Sequence, residues 1–222
     1  MRWTLMVVTC VLVAAPAAAQ RVEFSASAGY TFSDGVDVTE RPLLEQVFNH
    51  VSPVSGASFN FTAGVLVSEG LEFEFLFGRQ NSRLKADGPG NSTLSLADLT
   101  IYNYQGNILY NFVPRDTRLR PFVFFGAGVT TYAFGNSLLA PPAGRTPISL
   151  DSESQFSSAL GGGAKFYFIP NVGLRVAARW TPTYITSDTE GIWCDPFYGC
   201  WPTGDPQYSN QFDTSAGITV RF

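Results

Sequence analysis

Large apolar residues occupy every second position in many segments of this chain, with polar or small residues between them. Successive side chains of a β-strand point to opposite faces, so this period of two predicts strands with one apolar and one polar face. Segment 121–134 fits two phases, because either Phe122 and Phe124 or Val123 and Phe125 could form the apolar face. The segments with this pattern are 22–32, 59–67, 71–77, 102–112, 121–134, 156–168, 172–180 and 216–222. We therefore predict eight strands.

The connections between these strands alternate in length. The short ones are 68–70, 113–120 and 169–171, and the long ones, rich in Gly, Pro, Ser and Asp, are 33–56, 82–97, 135–153 and 187–208. Short turns on the periplasmic side and long loops on the outer side are typical of transmembrane barrels. The predicted fold is all-β: an eight-stranded antiparallel up-and-down transmembrane β-barrel with four long outer loops.

The first 19 residues have the pattern of a cleaved secretory signal peptide. A positively charged start at Arg2 precedes an apolar run over 5–15, and Ala17-Ala18-Ala19 supplies the small residues that a signal peptidase reads. A membrane-spanning anchor needs about 20 apolar residues, and this run is shorter. We therefore predict export through the Sec pathway, a signal peptide at 1–19 and a barrel domain at 20–222.

The composition agrees with an exported barrel and argues against other classes. Only 14% of the residues are charged, whereas 14% are aromatic, including 19 phenylalanines. After the signal segment, no apolar stretch is long enough for a spanning helix. An apolar exported chain without such a helix has the features of an outer membrane barrel. The net charge of −4 and the lack of a basic cluster exclude nucleic acid as a partner.

The polar face of the predicted strands carries acids and bases in similar numbers. A soluble β-sandwich or lipocalin-like barrel would turn this face to water, but its large apolar face would then need a protein core. A membrane barrel instead places the charges in its lumen, where they must pair. Eight strands leave an interior just wide enough for side chains, so we expect a filled lumen. The predicted lumen charges are Glu23, Glu72, Glu74, Lys165, Arg175, Arg179 and Arg221.

The last predicted strand ends in a pattern that the assembly of such barrels uses. Gly217 is followed by alternate apolar residues that include Val220 and end on Phe222. This segment resembles the recognition signal of outer membrane barrels, and the whole mature chain resembles the OmpA-type and OmpX-type family. The resemblance implies an outer membrane location, insertion by the barrel assembly machinery, contact with outer membrane lipid and lipopolysaccharide, and a monomer. No peptidoglycan-binding domain is seen after the barrel, so a cell-wall tether is not implied.

One histidine offers the only candidate for catalysis. Some barrels of this size modify lipid A, and His50 and Ser52 have a spacing similar to their catalytic pair, with Glu40 or Glu45 as the acid. Such a pair needs hydrogen-bond reach and an orienting third group. Because His50 lies in a predicted loop beside Pro53, we predict a non-enzymatic protein with a structural or loop-mediated interaction role at the cell envelope. The alternatives are a lipid A-modifying enzyme and a narrow transporter of small apolar molecules.

No cofactor or metal site is predicted, and the two cysteines of the mature chain favour a different chemistry. Cys10 leaves with the signal peptide, whereas Cys194 and Cys200 lie in the last long loop. Export to an oxidising compartment favours a disulfide between them. Pro196 and Gly199 suit the tight turn that would bring the two residues together.

Overall fold

A computed structural model describes residues 22–43, 46–88, 92–137, 152–185, 192–195, 199–202 and 207–222. The strands are β1 (Val22–Ser33), β2 (Val36–Leu43), β3 (Gln46–Pro53), β4 (Gly56–Leu66), β5 (Leu71–Gly88), β6 (Ser92–Asn111), β7 (Leu119–Ser137), β8 (Glu153–Ile169), β9 (Val172–Ile185), β10 (Ile192–Asp195), β11 (Gly199–Pro202) and β12 (Gln207–Arg221). Within these ranges, no helix is long and apolar enough to cross a membrane. The predicted signal peptide lies outside the described residues.

Eight of the strands form a closed antiparallel barrel, which confirms the predicted fold class. Their order around the ring is β1, β4, β5, β6, β7, β8, β9 and β12. The ring closes where β12 pairs with β1, with Phe24 opposite Val220. Closure is what a lipid environment requires, because an open edge would leave backbone N–H and C=O groups without partners.

The first long connection forms a hairpin rather than an open loop. Strands β2 and β3 pair with each other, and His50–Pro53 of β3 pairs with Leu84–Asp87 of β5. Strand β4 pairs with the first part of β5, from Glu72 to Gln80. Strand β3 therefore continues the line of β4 along β5 and extends the barrel wall outward.

The prediction of a long loop at 82–97 was wrong. Strand β5 continues to Gly88 and β6 begins at Ser92, and the two strands pair along this whole stretch with one register shift. The sequence pattern was missed because large apolar residues no longer face outward here. Outside the membrane, the outer face of a strand meets water, so its polar and apolar positions exchange.

The phase of β7, which the sequence left open, is decided by the structure. Phe122 and Phe124 are buried inside the barrel, whereas Val123 and Phe125 are 45% and 60% exposed on its outer surface. Two aromatic rings therefore occupy the lumen, and the adjacent outward positions remain apolar for lipid contact.

Candidate functional site

The lumen contains the charged residues that the period-two pattern assigned to it. The acids lie on β1 and β5, whereas the bases lie on β8, β9 and β12, so barrel closure brings the two groups together across the interior. All are buried, the most exposed being Arg221 at 8%; the set is Glu23, Glu72, Glu74, Lys165, Arg175, Arg179 and Arg221.

Lys165 connects two acids from the opposite side of the lumen. Its Nζ lies 2.9 Å from Glu72 Oε2 and also contacts Glu23 Oε1. The Tyr167 hydroxyl donates a hydrogen bond of 2.6 Å to Glu23 Oε2. Because a buried ammonium ion without a partner would be strongly destabilising, these contacts are what makes the burial of Lys165 tolerable.

Arg175 forms a second ion pair, with Glu74. Its Nη2 donates to Glu74 Oε1 over 3.1 Å, and its Nη1 contacts Glu74 Oε2. This two-pronged contact is the strong geometry for a guanidinium and a carboxylate. The Nη1 atom also donates to the Thr62 hydroxyl over 3.2 Å, and Asn107 Nδ2 donates to Glu74 Oε1 over 3.3 Å. The pair is thus held by neighbours on two further strands, β4 and β6.

Asp213 is a lumen acid that the sequence analysis did not identify. Its carboxylate accepts hydrogen bonds from Thr31 (2.9 Å), Ser58 (2.5 Å) and Asn60 (3.1 Å), and it lies 3.8 Å from Arg179 Nη2. The pattern search began the last strand near Ser215. Asp213 lies an even number of residues before Arg221, so extending the strand by two positions would have placed it inside.

Arg120 is a second lumen charge that was missed, because 113–120 was assigned to a turn. Its side chain is wholly buried, and in the β7–β8 register it lies opposite Lys165. All three of its guanidinium nitrogens lack a hydrogen-bond partner among the described residues. The open phase of β7 concealed it: once Phe122 is known to face inward, Arg120 must face inward too.

Phe122 and Phe124 close the middle of the lumen. The Phe122 ring lies 4.8 Å from Arg175 Cζ and 5.5 Å from Lys165 Nζ, distances at which cations interact with the ring face. Glycine at Gly163 makes room for this ring, since a Cβ there would lie 2.9 Å from Phe122 Cζ. A space of about 20 Å³ remains beside Arg179 among the described residues of this section.

The outer end of the lumen contains an apolar cluster, although Glu153 and Gln155 of β8 also line its cavity. Leu99 and Ile101 of β6 pack there with Leu84 of β5, Tyr132 of β7 and Val51 of β3. A cavity of about 40 Å³ remains between them, and its lining includes residues of β5 through β9. This section has the character of the core of a soluble protein.

The candidate catalytic pair lies on β3 and not in a loop. His50 Nε2 is 3.9 Å from Asp34 Oδ1, and a Cβ on Gly35 would lie 2.7 Å from the same nitrogen and 2.5 Å from Ser52 Cβ. Catalysis by a triad needs the acid on one imidazole nitrogen and the hydroxyl on the other. Here the separation of 3.9 Å between Asp34 and the imidazole is longer than a hydrogen bond, so Asp34 does not orient His50 as a triad acid would.

The acids that the sequence offered as partners of His50 stay a prediction. Glu45 and the side chain of Glu40 lie outside the described residues. Asp87 lies opposite His50 in the sheet register, beyond the membrane section. Burial acts to raise the pKa of Asp87, but hydrogen bonds from Lys85 and Thr93 lower it overall, so this carboxyl is ionised at neutral pH. Among the described residues, no group of three His, Cys, Asp or Glu side chains could hold a metal ion.

The residues of the predicted assembly signal lie at the seam where the barrel closes. A Cβ on Gly217 would collide with the backbone of β1, so only glycine fits this position. The Phe222 ring faces outward and lies 6.3 Å from the Phe24 ring, while its backbone N–H donates to the carbonyl of Val22. Val220 pairs with Phe24 in the same seam. Whether the assembly machinery reads these residues stays a prediction.

The two cysteines lie on a separate hairpin. Cys194 of β10 is directly opposite Cys200 of β11 in the antiparallel register. Directly opposed residues have Cα separations of roughly 4.5–5.5 Å, which a disulfide can span. Their side chains lie outside the described part of the chain, so the disulfide stays a prediction.

Comparison with known proteins gives a family for the chain and a set of similar folds. Residues 4–220 match the outer membrane protein beta-barrel domain. Neisserial surface protein A is 15% identical, with a TM-score of 0.54 over 90% of this chain and 97% of that chain. OprG from Pseudomonas aeruginosa is 13% identical, with a TM-score of 0.53 over 91% of this chain and 97% of that chain. AlkL in lipid bilayers is 16% identical, with a TM-score of 0.51 over 91% of both chains.

The family match and the structural likeness support different conclusions. No curated protein matches the sequence. At such low identities, the likeness to solved structures supports the fold alone, but the family match extends over nearly the whole chain. The location is the outer membrane, and large side chains such as Phe73, Phe75 and Phe125 are exposed on the outside of the barrel, where lipid would contact them. The chain belongs to the outer membrane protein beta-barrel domain family.

Proposed function

We propose that this protein is a non-enzymatic outer membrane barrel that supports the envelope and presents its outer strands and loops to other molecules. The observation that carries the proposal is the filled lumen. Lys165 and Arg175 are paired with acids from the opposite side, and the Phe122 ring lies against both cations. A barrel closed in this way is a rigid support and not a conduit for water or ions.

The part of the barrel wall that lies beyond the membrane supports a role in binding other molecules. Strands β5 and β6 continue past the lipid-facing band, and the β2–β3 hairpin pairs with β5 beside them. Their outward residues, such as Arg83, Lys85 and Asp98, are polar and at least a third exposed. Binding residues are commonly held on a rigid scaffold of this kind.

Conductance measurements test the filled lumen. In planar lipid bilayers, the wild-type barrel should give no stable conductance steps. Phe122→Ala combined with Phe124→Ala removes both rings and should raise ion conductance, whereas Phe125→Ala, on the lipid-facing side of the same strand, should not. Stable conductance by the wild type would contradict the proposal.

Binding of small apolar molecules is a second candidate function, supported by the apolar outer lumen. A cavity of about 40 Å³ lies there, lined by residues that include Leu84 and Leu99. The β8–β9 ladder ends at Ser157 and Thr183, although β8 continues to Glu153 beside β7. The first residues of β8 are therefore not paired with β9, next to the cavity. Xenon binding measured by NMR should be weakened by Leu99→Asn but not by Asp98→Asn if this candidate is right.

The enzymatic alternative has its own test. We expect His50→Ala to leave the mass profile of lipid A unchanged in cells that produce the protein, because the geometry around His50 does not match a catalytic triad. A wild-type profile that loses one acyl chain, and regains it in His50→Ala, would support the enzyme instead.

A further inference from the structure

Arginines concentrate around one open cleft at the periplasmic end of the barrel. The cleft has a volume of about 900 Å³ and lies between the turn after β6 and the ends of β8 and β12. Arg115, Arg118 and Arg221 line it, and so do the carboxylates of Glu69 and Asp116. Arg115 is already engaged, because its Nη2 donates to the main-chain oxygen of Phe222 over 2.5 Å. Arg118 and Arg221 are therefore the arginines of this cleft to consider for an external anion.

Arg221 is held in this cleft without a carboxylate partner among the described side chains. Its Nε donates to the carbonyl of Pro170 over 2.5 Å, and its Nη1 contacts the carbonyl of Arg115. Its guanidinium carbon lies 3.8 Å from the centre of the Tyr167 ring. Carbonyls and a ring position the guanidinium but leave its positive charge unneutralised.

Arg120 adds a further positive charge, deeper in the barrel than Arg221 and Tyr167. In the β7–β8 register it is opposite Lys165 and diagonal to Tyr167, which lines the cleft. Lys165 has its own acids, whereas none of the Arg120 nitrogens has an acceptor among the described residues. A buried guanidinium in this state favours an anion nearby. Arg118 is exposed, and no described carboxylate lies within ion-pair distance of it.

The same cleft opens onto the lipid-facing surface. Phe168 and Ile169 form part of its lining and are 60% and 57% exposed on the outside of β8. A ligand that fits both parts has an apolar portion along Phe168 and an anionic group at the arginines. Guanidinium groups bind phosphate oxygens in the same two-pronged manner as carboxylates.

We propose that this cleft binds a phospholipid of the periplasmic leaflet, with the lipid phosphate at Arg118 and Arg221 and its acyl chains along Phe168 and Ile169. Arg120 strengthens the positive field at the inner end of the cleft. The site lies at the end of the barrel opposite the outer strands, so it is independent of the proposed role in contact.

Native mass spectrometry of the whole barrel tests this proposal. The protein, in a neutral detergent, is offered equal amounts of phosphatidylglycerol and phosphatidylcholine, and the retained lipids are counted. The wild type should prefer phosphatidylglycerol, and Arg118→Ala should reduce that preference about five- to tenfold, as the loss of a charge-assisted contact implies. Arg120→Met should also reduce the preference for phosphatidylglycerol. Arg79→Ala should leave the preference unchanged, because Arg79 is an exposed arginine on β5 away from the cleft.

Two outcomes would overturn the site. One is equal preference in the wild type and Arg118→Ala, and the other is an equal loss in Arg79→Ala, which would indicate attraction without a specific location.

A separate arm titrates inorganic phosphate into lipid-free protein and follows the phosphorus NMR signal. Tight binding of phosphate with no lipid preference would make a free anion, and not a phospholipid, the ligand. Far-ultraviolet circular dichroism of each variant verifies that the barrel is folded.

Discussion

The membrane section of β5 and its outer section distribute apolar residues in opposite ways. In the membrane section, Phe73 and Phe75 face outward and Glu74 faces the lumen. In the outer section, Arg83 is exposed on the outside and Leu84 is buried on the inside. One continuous strand thus changes from an apolar exterior to an apolar interior within about ten residues.

Strand β6 makes the same change at the same height. Tyr104 faces outward and Asn103 inward in its membrane section, whereas Asp98 faces outward and Leu99 inward beyond it. The backbone pairing differs little between the two sections, so hydrogen bonding does not explain the exchange. The medium outside the wall does: hydrocarbon selects apolar exteriors, and water selects polar ones. The outer lumen can then be apolar because it no longer has to hold charges.

Replacing Phe222 with Asp should have the largest effect, because it concerns the insertion of the membrane section itself. The resemblance to barrels with a terminal aromatic signal implies exported but unfolded protein in the periplasm. Cell fractionation and electrophoresis of unboiled samples measure this, since a folded barrel migrates differently from an unfolded chain. Tyr208→Asp, at the outer end of the same strand, should assemble normally. Normal yield of Phe222→Asp in the outer membrane would refute the predicted signal.

Lys165→Met should lower the free energy of unfolding by about 3–5 kcal/mol, because Glu23 and Glu72 would then share the lumen without their cation. Urea unfolding in lipid vesicles, followed by tryptophan fluorescence, measures the change. Adding Glu23→Gln and Glu72→Gln should restore part of the stability, since the two carboxylates that Lys165 neutralises are then uncharged. If Lys165→Met lowers the free energy of unfolding by less than an ordinary surface substitution does, the lumen is hydrated enough to screen these charges.

A lysine scan along the outside of β5 locates the change between the two sections. Phe75→Lys should cost about 2–4 kcal/mol, as expected for a cation facing the middle of the bilayer. Asn81→Lys, three outward positions further on, should stay within about 0.5 kcal/mol because it faces water or headgroups. The same unfolding assay applies to both. Similar costs at the two positions would show that the outer section is also embedded in lipid.

Removing the predicted disulfide should have the smallest effect on assembly and stability, because the two cysteines lie on a hairpin outside the barrel wall. Closing a loop of this size stabilises a chain by roughly 2–2.5 kcal/mol on the entropy model, less any strain. Cys194→Ser with Cys200→Ser should therefore still assemble, with faster protease cleavage in the last outer loop. Thiol labelling of protein isolated without reductant provides the direct measurement. Labelled cysteines in the untreated wild type would contradict the bond.

The sequence predicted the membrane section well because two physical signals coincide there. Alternation reports the strand, and large apolar residues report which face meets lipid. These signals placed Glu74, Lys165 and Arg175 on the inward face without any knowledge of their partners. They failed at Asp213 and Arg120, which lie next to the ends of recognised segments, where the alternating run is too short to extend with certainty.

The outer strands could not be predicted in the same way. Residues 82–97 contain few large apolar side chains, and those that occur, such as Leu84, lie on the face opposite to the one expected from the membrane section. A pattern search that assumes one medium outside the barrel interprets this stretch as a loop. The pairing of β3 with β5 adds a contact between distant segments that local patterns do not encode.

The sequence by itself determined the all-β architecture, the eight strands of the barrel and the inward position of most of its charges, because each follows from local alternation. Only the tertiary structure decided which charges meet, that Arg120 has no acid partner among the described residues, and that Phe122 and not Val123 fills the lumen. These outcomes depend on strand register and barrel closure, which bring residues such as Glu23 and Lys165 together across the interior. Alternation specifies the face of each residue, whereas register and closure specify its neighbours.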